Sequence, residues 1–252
     1  MKIVRFLANK KTGYGIQEGE SIRVTQISPF HGLHYSGVDL RLKDVKLLAP
    51  CVPSKIVCLG LNYLNHAKES NAAPPSNPLI FLKPPTAVIG PEDKIIYPEM
   101  SKRVDYEGEL GVVIKKKASH VTKEEALDYV LGYTCFNDVT ARDLQSSDGQ
   151  WTRAKGFDTL ASIGPCIETE MDTAKTPVET YLNGKLVQKG NTADLIFPVR
   201  EVISFISRVM TLLPGDVIAT GTPEGIGPMK VGDVVEIKIA PIGVLRNYVS
   251  LS

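Results

Sequence analysis

The stretch Asp105-Tyr106-Glu107-Gly108-Glu109-Leu110-Gly111-Val112-Val113-Ile114 decides how this chain is read. Its second half is an apolar run of strand length, which predicts a buried strand. Glu107 and Glu109 stand two residues apart at the start of that run. On a strand this spacing puts both carboxylates on one face. Gly108 between them weakens an ordinary strand and marks a place of close approach. The same spacing also fits two glutamates on the wet face of an edge strand.

Working outward, Leu131 to Phe136 reads as a second apolar strand, and Asp138 follows where that strand would end. Three carboxylates with no neighbouring His or Cys make a hard-oxygen site. Such a site suits Mg²⁺, Mn²⁺ or Ca²⁺ rather than zinc. A cation also resolves the electrostatics, because converging carboxylates otherwise repel and some must stay protonated.

The rest of the chain is strand-rich. Residues 1–48 read as short strands and turns, beginning with the alternating Lys2-Ile3-Val4-Arg5-Phe6, and are expected to form a small N-terminal β domain; 49–252 is expected to be the main domain. Ile56 to Leu59 and Leu79 to Leu82 are further strands, the second stopped by Pro84-Pro85. Asn183-Gly184 predicts a tight hairpin. Thr122 and Glu125 form a capping box that predicts a helix to about Val130. Val199, Val202, Ile203, Ile206, Val209 and Met210 recur at helical spacing between Pro198 and Leu212. The sum predicts an α+β chain, mostly β.

Composition excludes several classes. Over 252 residues the formal net charge is +1, so no field favours nucleic acid or an anionic membrane surface. No run of 18 apolar residues and no signal-type leader is present, and the expected location is cytoplasmic. Cys51, Cys58, Cys135 and Cys166 show neither C-x-x-C nor zinc spacing and read as reduced, structural residues.

Other side chains are candidates beside the carboxylates. His66 and Glu69 share a face of a predicted short helix at Asn62 to Glu69. A carboxylate there would orient the imidazole as a general base on water; a surface ion pair has the same spacing. Lys155 either faces solvent or, turned toward the carboxylates, holds a substrate carboxylate or a developing oxyanion. Arg142 and Gln145 fit a carboxylate- or carbonyl-binding pair, or an ordinary polar turn. Gly221-Thr222-Pro223-Glu224-Gly225-Ile226-Gly227 lacks every nucleotide fingerprint; it offers N–H groups and the Thr222 hydroxyl to an anion, or is a plain turn.

In order, GLNYLNHAKE (60–69), PLIFLKPPTAVIGP (78–91), DYEGELGVVI (105–114), GYTCFNDVTARDLQ (132–145), WTRAKGFDT (151–159), YLNGKLVQKGNTADLIF (181–197) and LLPGDVIATGTPEGIGPMKVGD (212–233) resemble the fumarylacetoacetate hydrolase family, in its acylpyruvase and 2-hydroxyhepta-2,4-diene-1,7-dioate isomerase-like branch. The resemblance implies a mixed β-sandwich roll with a small N-terminal β appendage, a homodimer, and Mg²⁺, with Mn²⁺ or Ca²⁺ as alternatives. It implies Glu107, Glu109 and Asp138 as metal ligands, His66, Glu69 and Lys155 as catalytic groups, and Arg142, Gln145 and Thr222 around a small 2-oxo acid. The implied activity is Mg²⁺-dependent hydrolysis of a C–C bond in an acylpyruvate-type 2-oxo acid through a metal-bound enolate. Isomerisation of a 2-hydroxy-dienoate and decarboxylation of oxaloacetate use the same enolate. A non-catalytic metal-binding protein is the reading from a different class.

Overall fold

A computed structural model describes residues 1–69 and 72–251. Strand accounts for 45% of it and helix for 18%, so the chain is mostly β, as expected. Four α-helices occur among the described residues: α1 Leu64–Glu69, α2 Arg142–Asp148, α3 Thr152–Gly156 and α4 Val199–Val209.

The strand Gly108–Ile114 lies in the middle of a 12-stranded sheet and is buried along its whole length. It pairs antiparallel with Val130–Asp138 on one side and with Val217–Ala219 on the other. Beyond Val217–Ala219 come Ile56–Gly60 and the edge strand Leu79–Lys83. On the far side, Val130–Asp138 pairs with Ala161–Glu168, which pairs in turn with Lys2–Ala8. The N-terminal strands Lys2–Ala8, Lys11–Glu18, Ser21–Thr25 and Tyr35–Arg41 thus continue the same sheet. A five-stranded sheet and a three-stranded one complete the roll.

Alternation along the central strands splits the interior in two. Leu110, Val112, Ile114 and Cys135 point to one core, against Val178, Val235 and Ile237 of the five-stranded sheet. Val113 and Phe136 point to the other, with Cys58, Ala161 and Ala219. Gly108 belongs to the first face. A Cβ there would lie 2.1 Å from Thr180 Oγ1, so the two glutamates flanking it are turned to the opposite face. Gly108→Ala is therefore expected to cost about 1–3 kcal/mol, as overpacked cores do. Urea unfolding measures this, and an unchanged midpoint would contradict the packing role given to Gly108.

The helix expected after Thr122 is shorter than predicted. Half of its capping box forms: Thr122 Oγ1 accepts from the Glu125 N–H at 3.3 Å, while the Glu125 carboxylate accepts from the Thr122 hydroxyl at 3.0 Å rather than from the backbone. Only a 3₁₀ turn, Ala126–Tyr129, follows. Tyr129 O is taken by the Lys115 N–H at 2.7 Å, and Val130 opens the next strand. The strand that opens at Val130 takes over the chain after this single turn, so no α-helix propagates. By contrast α4 forms as its periodicity predicts, burying Val202, Ile203 and Ile206. The four cysteines are free and buried, and burial pushes the Cys51 thiol up to about 12. No described helix is long and apolar enough to cross a membrane.

Candidate metal centre and its cavity

The antiparallel register pairs Gly108 with Asn137 and Glu109 with Phe136. Glu107 therefore stands opposite Asp138, and the Asp138 N–H donates to Glu107 O at 2.9 Å. Residues directly opposite in such a pair share a face. One carboxylate oxygen from each of Glu107, Glu109 and Asp138 lies within 4.8 Å of the others, and all three side chains are buried. The wet edge strand is thus replaced by a buried central one.

Three buried carboxylates need compensation. Lys155 Nζ, in α3, donates to Glu107 Oε2 at 2.9 Å and to Asp138 Oδ2 at 2.7 Å. Lys83 Nζ, at the end of its edge strand, donates to Asp138 Oδ1 at 2.6 Å and to Val139 O at 3.0 Å. Arg142 binds Glu107 through Nη2 and Asp105 through Nε at 3.0 Å, and its Nη1 donates to Gln145 Oε1 at 2.5 Å. Arg103 clamps Asp105 from the other side at 2.9 and 3.1 Å.

Among the described residues, Glu109 has no cationic partner within salt-bridge distance. Its Oε2 accepts the Gly221 N–H at 2.8 Å. Gly221 has φ +96°, and a Cβ there would come within 2.8 Å of Asn62 Cβ. Burial, together with repulsion from Asp138 and Glu107, holds the Glu109 carboxyl well above the usual carboxylate range. Glu107 goes the other way: burial opposes its ionisation, but Lys155 and Arg142 outweigh that and hold it well below the usual range. Burial likewise opposes the Lys155 ammonium, yet Asp138 and Glu107 outweigh it and raise that group above its ordinary value. An all-oxygen donor set in which one carboxyl is held well above the usual range by burial and its acidic neighbours fits a hard divalent cation, which Glu107, Glu109 and Asp138 would hold.

Beside the carboxylates is a cavity of about 260 Å³ lined by His66, Glu107, Arg142, Gln145, Lys155 and Thr222 among others. Every residue expected at the site from the sequence lies on or beside it. His66 Nδ1 and Glu69 Oε2 are 3.0 Å apart across one turn of α1. Glu69 Oε1 accepts the Gly225 N–H at 3.0 Å, which ties α1 to the glycine-rich turn. The Thr222 hydroxyl donates to Gly108 O at 3.0 Å and accepts from Gln188 Nε2 at 2.8 Å. Its proton is thus engaged with backbone, not free for an anion.

Lys83 is the residue that sequence reasoning missed. It ends the apolar run Leu79-Ile80-Phe81-Leu82, where a lysine normally marks a strand reaching water, and nothing local says that it turns inward. Asp105 opens the stretch that carries Glu107 and Glu109, and it accepts from Arg142 Nε at 3.0 Å. Its role as the anchor of Arg142 needed the fold.

Glu107, Glu109 and Asp138 thus form a buried acidic cluster at the end of a central strand, backed by Lys83 and Lys155 and beside the His66–Glu69 pair, that could hold a divalent metal. The chain belongs to the fumarylacetoacetate hydrolase family: the model of the fumarylacetoacetate hydrolase C-terminal region matches residues 55–250, and a second model, Rv2993c-like N-terminal, matches residues 1–50. It is similar to the structure of 2-hydroxyhepta-2,4-diene-1,7-dioate isomerase from Mycobacterium marinum, with TM-score 0.94 and 42% identity, covering 100% of this chain and 99% of that one. The structure of maleylpyruvate hydrolase from Sphingobium sp. SYK-6, in complex with manganese(II) and pyruvate, matches with TM-score 0.84 and 31% identity over 100% of both chains. The mitochondrial oxaloacetate tautomerase Fahd2a of Rattus norvegicus is 41% identical, over 82% of this chain and 70% of that protein. Members of this family are enzymes, and the relatives span isomerase, hydrolase and tautomerase.

Proposed function

We propose that this protein is a divalent-cation-dependent hydrolase that cleaves a C–C bond in a small acylpyruvate-type 2-oxo acid. The observation that carries it is the His66–Glu69 pair, held over the same cavity that Glu107 and Lys155 line. Glu107, Glu109 and Asp138 would hold Mg²⁺ or Mn²⁺. Bound there, the cation supplies Lewis-acid stabilisation of negative charge developing on the 2-oxo acid.

The chain's own residues do the rest. Glu69 accepts from His66 Nδ1–H and so fixes the tautomer that leaves Nε2 as a base. Nε2 takes a proton from water as the water oxygen adds to the distal carbonyl. The C–C bond then breaks, its electron pair stays on the pyruvate part as an enolate, and protonation of that carbon gives pyruvate and a carboxylic acid. The Lys155 ammonium stabilises the enolate charge, and Gln145, whose Oε1 is held by Arg142, orients the substrate through its amide. The homodimer implied by the family likeness is part of this proposal, and sedimentation analysis reads it.

A second reading, isomerisation or tautomerisation of a 2-oxo acid on the same groups, is favoured by the relatives at 41% and 42% identity, which carry tautomerase and isomerase names. It needs a proton moved but no water added. Product analysis over acylpyruvates, a 2-hydroxy-dienoate and oxaloacetate, with Mg²⁺ or Mn²⁺ and after exhaustive chelation, separates the two. Pyruvate plus acid supports the hydrolase, an isomer alone supports the second reading, and full activity after chelation rejects the cation in both.

Cation binding has a definite pH dependence. Burial and its acidic neighbours hold the Glu109 carboxyl well above its ordinary range, so below its folded-state pKa cation binding would displace a proton. Affinity is expected to rise with pH by up to about tenfold per unit, until the folded-state pKa of Glu109 is passed. The sign for the cation-free protein is opposite. Because this carboxyl is raised on folding, its contribution to stability is lost as pH climbs from the unfolded value toward the folded one. Calorimetry of Mn²⁺ binding in two buffers of different ionisation enthalpy measures the released proton, and no proton release would contradict the assignment of Glu109.

A further inference from the structure

The two buried lysines at the centre differ in how they are held. Lys83 Nζ has a backbone anchor in Val139 O as well as Asp138 Oδ1, and its residue does not line the 260 Å³ cavity. Among the described residues, Lys155 Nζ bonds only carboxylate oxygens, one from Glu107 and one from Asp138, and the residue does line that cavity. Beside it the Phe81 ring lies face-on to Nζ at 4.9 Å, a surface on which an ammonium can rest. The oxygens that Lys155 occupies belong to two of the three side chains that make the all-carboxylate cluster.

We infer that Lys155 is a placeholder for the divalent cation: its ammonium bridges Glu107 and Asp138 in the cation-free protein and withdraws into the adjoining cavity when the cation binds. This rests on the reading of the carboxylates as a cation site. An ammonium and a dication cannot share the same oxygens, because their charges repel at contact distance in a buried site. Lys83 stays, since its backbone partner does not change, and keeps Asp138 oriented. The withdrawn Lys155 then faces the cavity with its carboxylate partners already satisfied, free to meet an anionic substrate. Cation and substrate binding are thereby coupled through one side chain, and the order is cation first.

The test compares Mn²⁺ dissociation constants for the wild-type protein, Lys155→Met and Lys155→Arg, from the electron paramagnetic resonance signal of free Mn²⁺. Removing the competing ammonium is expected to tighten Mn²⁺ binding in Lys155→Met on the order of tenfold, within the usual range of coupling between sites. Lys155→Arg is expected to bind no more tightly than wild type. Equal or weaker binding by Lys155→Met overturns the placeholder role. Failure of the wild-type protein itself to bind Mn²⁺ overturns the cation site instead. Should Lys155→Met not fold, reductive methylation of the wild-type protein with formaldehyde, followed by peptide mass spectrometry, takes its place. Methylation of Lys155 is expected to rise severalfold when Mn²⁺ replaces chelator, and an unchanged or lower yield overturns the inference.

Discussion

Asp138→Ala is expected to lower stability by about 3–5 kcal/mol in the cation-free protein, the usual cost of removing one partner from a buried ion pair. Asp138 is fully buried and accepts from two ammonium groups, Lys83 on Oδ1 and Lys155 on Oδ2. Alanine leaves Lys83 with only Val139 O and Lys155 with only Glu107. Neither lysine is exposed enough for water to take over. Asp138→Asn keeps the volume and one acceptor for Lys83, and is expected to fall between alanine and wild type. Urea unfolding in the presence of chelator measures the series. Adding Mn²⁺ is expected to stabilise the wild type and not the alanine variant, because one of three proposed ligands is gone. A loss of less than about 1 kcal/mol, the size of an ordinary surface substitution or little more, would show that these charges are not coupled as described.

The second large effect is on rate. Glu69→Ala is expected to reduce hydrolysis of an acylpyruvate by 10²–10⁴, the range typical of a lost acid–base function. Two contacts go at once: Oε2 no longer fixes His66 Nδ1, and Oε1 no longer takes the Gly225 N–H. The tautomer of the imidazole and the docking of α1 both loosen. Glu69→Gln separates the two, since an amide oxygen can still accept from Gly225 while the negative charge beside His66 is lost. His66→Ala is expected to cost as much as Glu69→Ala, and the double variant little more than either, because the pair acts as one unit. Steady-state kcat with pyruvate detected as product provides the measurement. Undiminished hydrolysis in both single variants would remove the pair from the mechanism, while isomer formation without pyruvate in the wild type would shift the protein to the second reading.

Much of the strand framework was readable one segment at a time. The apolar run to Ile114, the strand ending at Asp138, the Asn183-Gly184 hairpin and α4 all follow from alternation, turn chemistry or helical spacing over a few residues. The capping box at Thr122 misled about length, because a cap states where a turn starts and not how soon a strand will claim the next carbonyls. Lys155 was ambiguous for a related reason. Between Ala154 and Gly156 its local pattern suits solvent, and only the strand register places two carboxylates within reach of it.

By itself, the order of residues determined which side chains carry charge, that Glu107 and Glu109 share a strand face, and that His66 can meet Glu69 across one helical turn. These are short-range consequences of backbone period. Only the tertiary structure decided that Glu107 stands opposite Asp138, that Arg142 is committed to Asp105 and Glu107, and that Lys83 reaches Asp138 from 55 residues away. Those contacts depend on which strands pair. Burial then forces every charge brought inside to find a partner, and no local pattern records which one it will be.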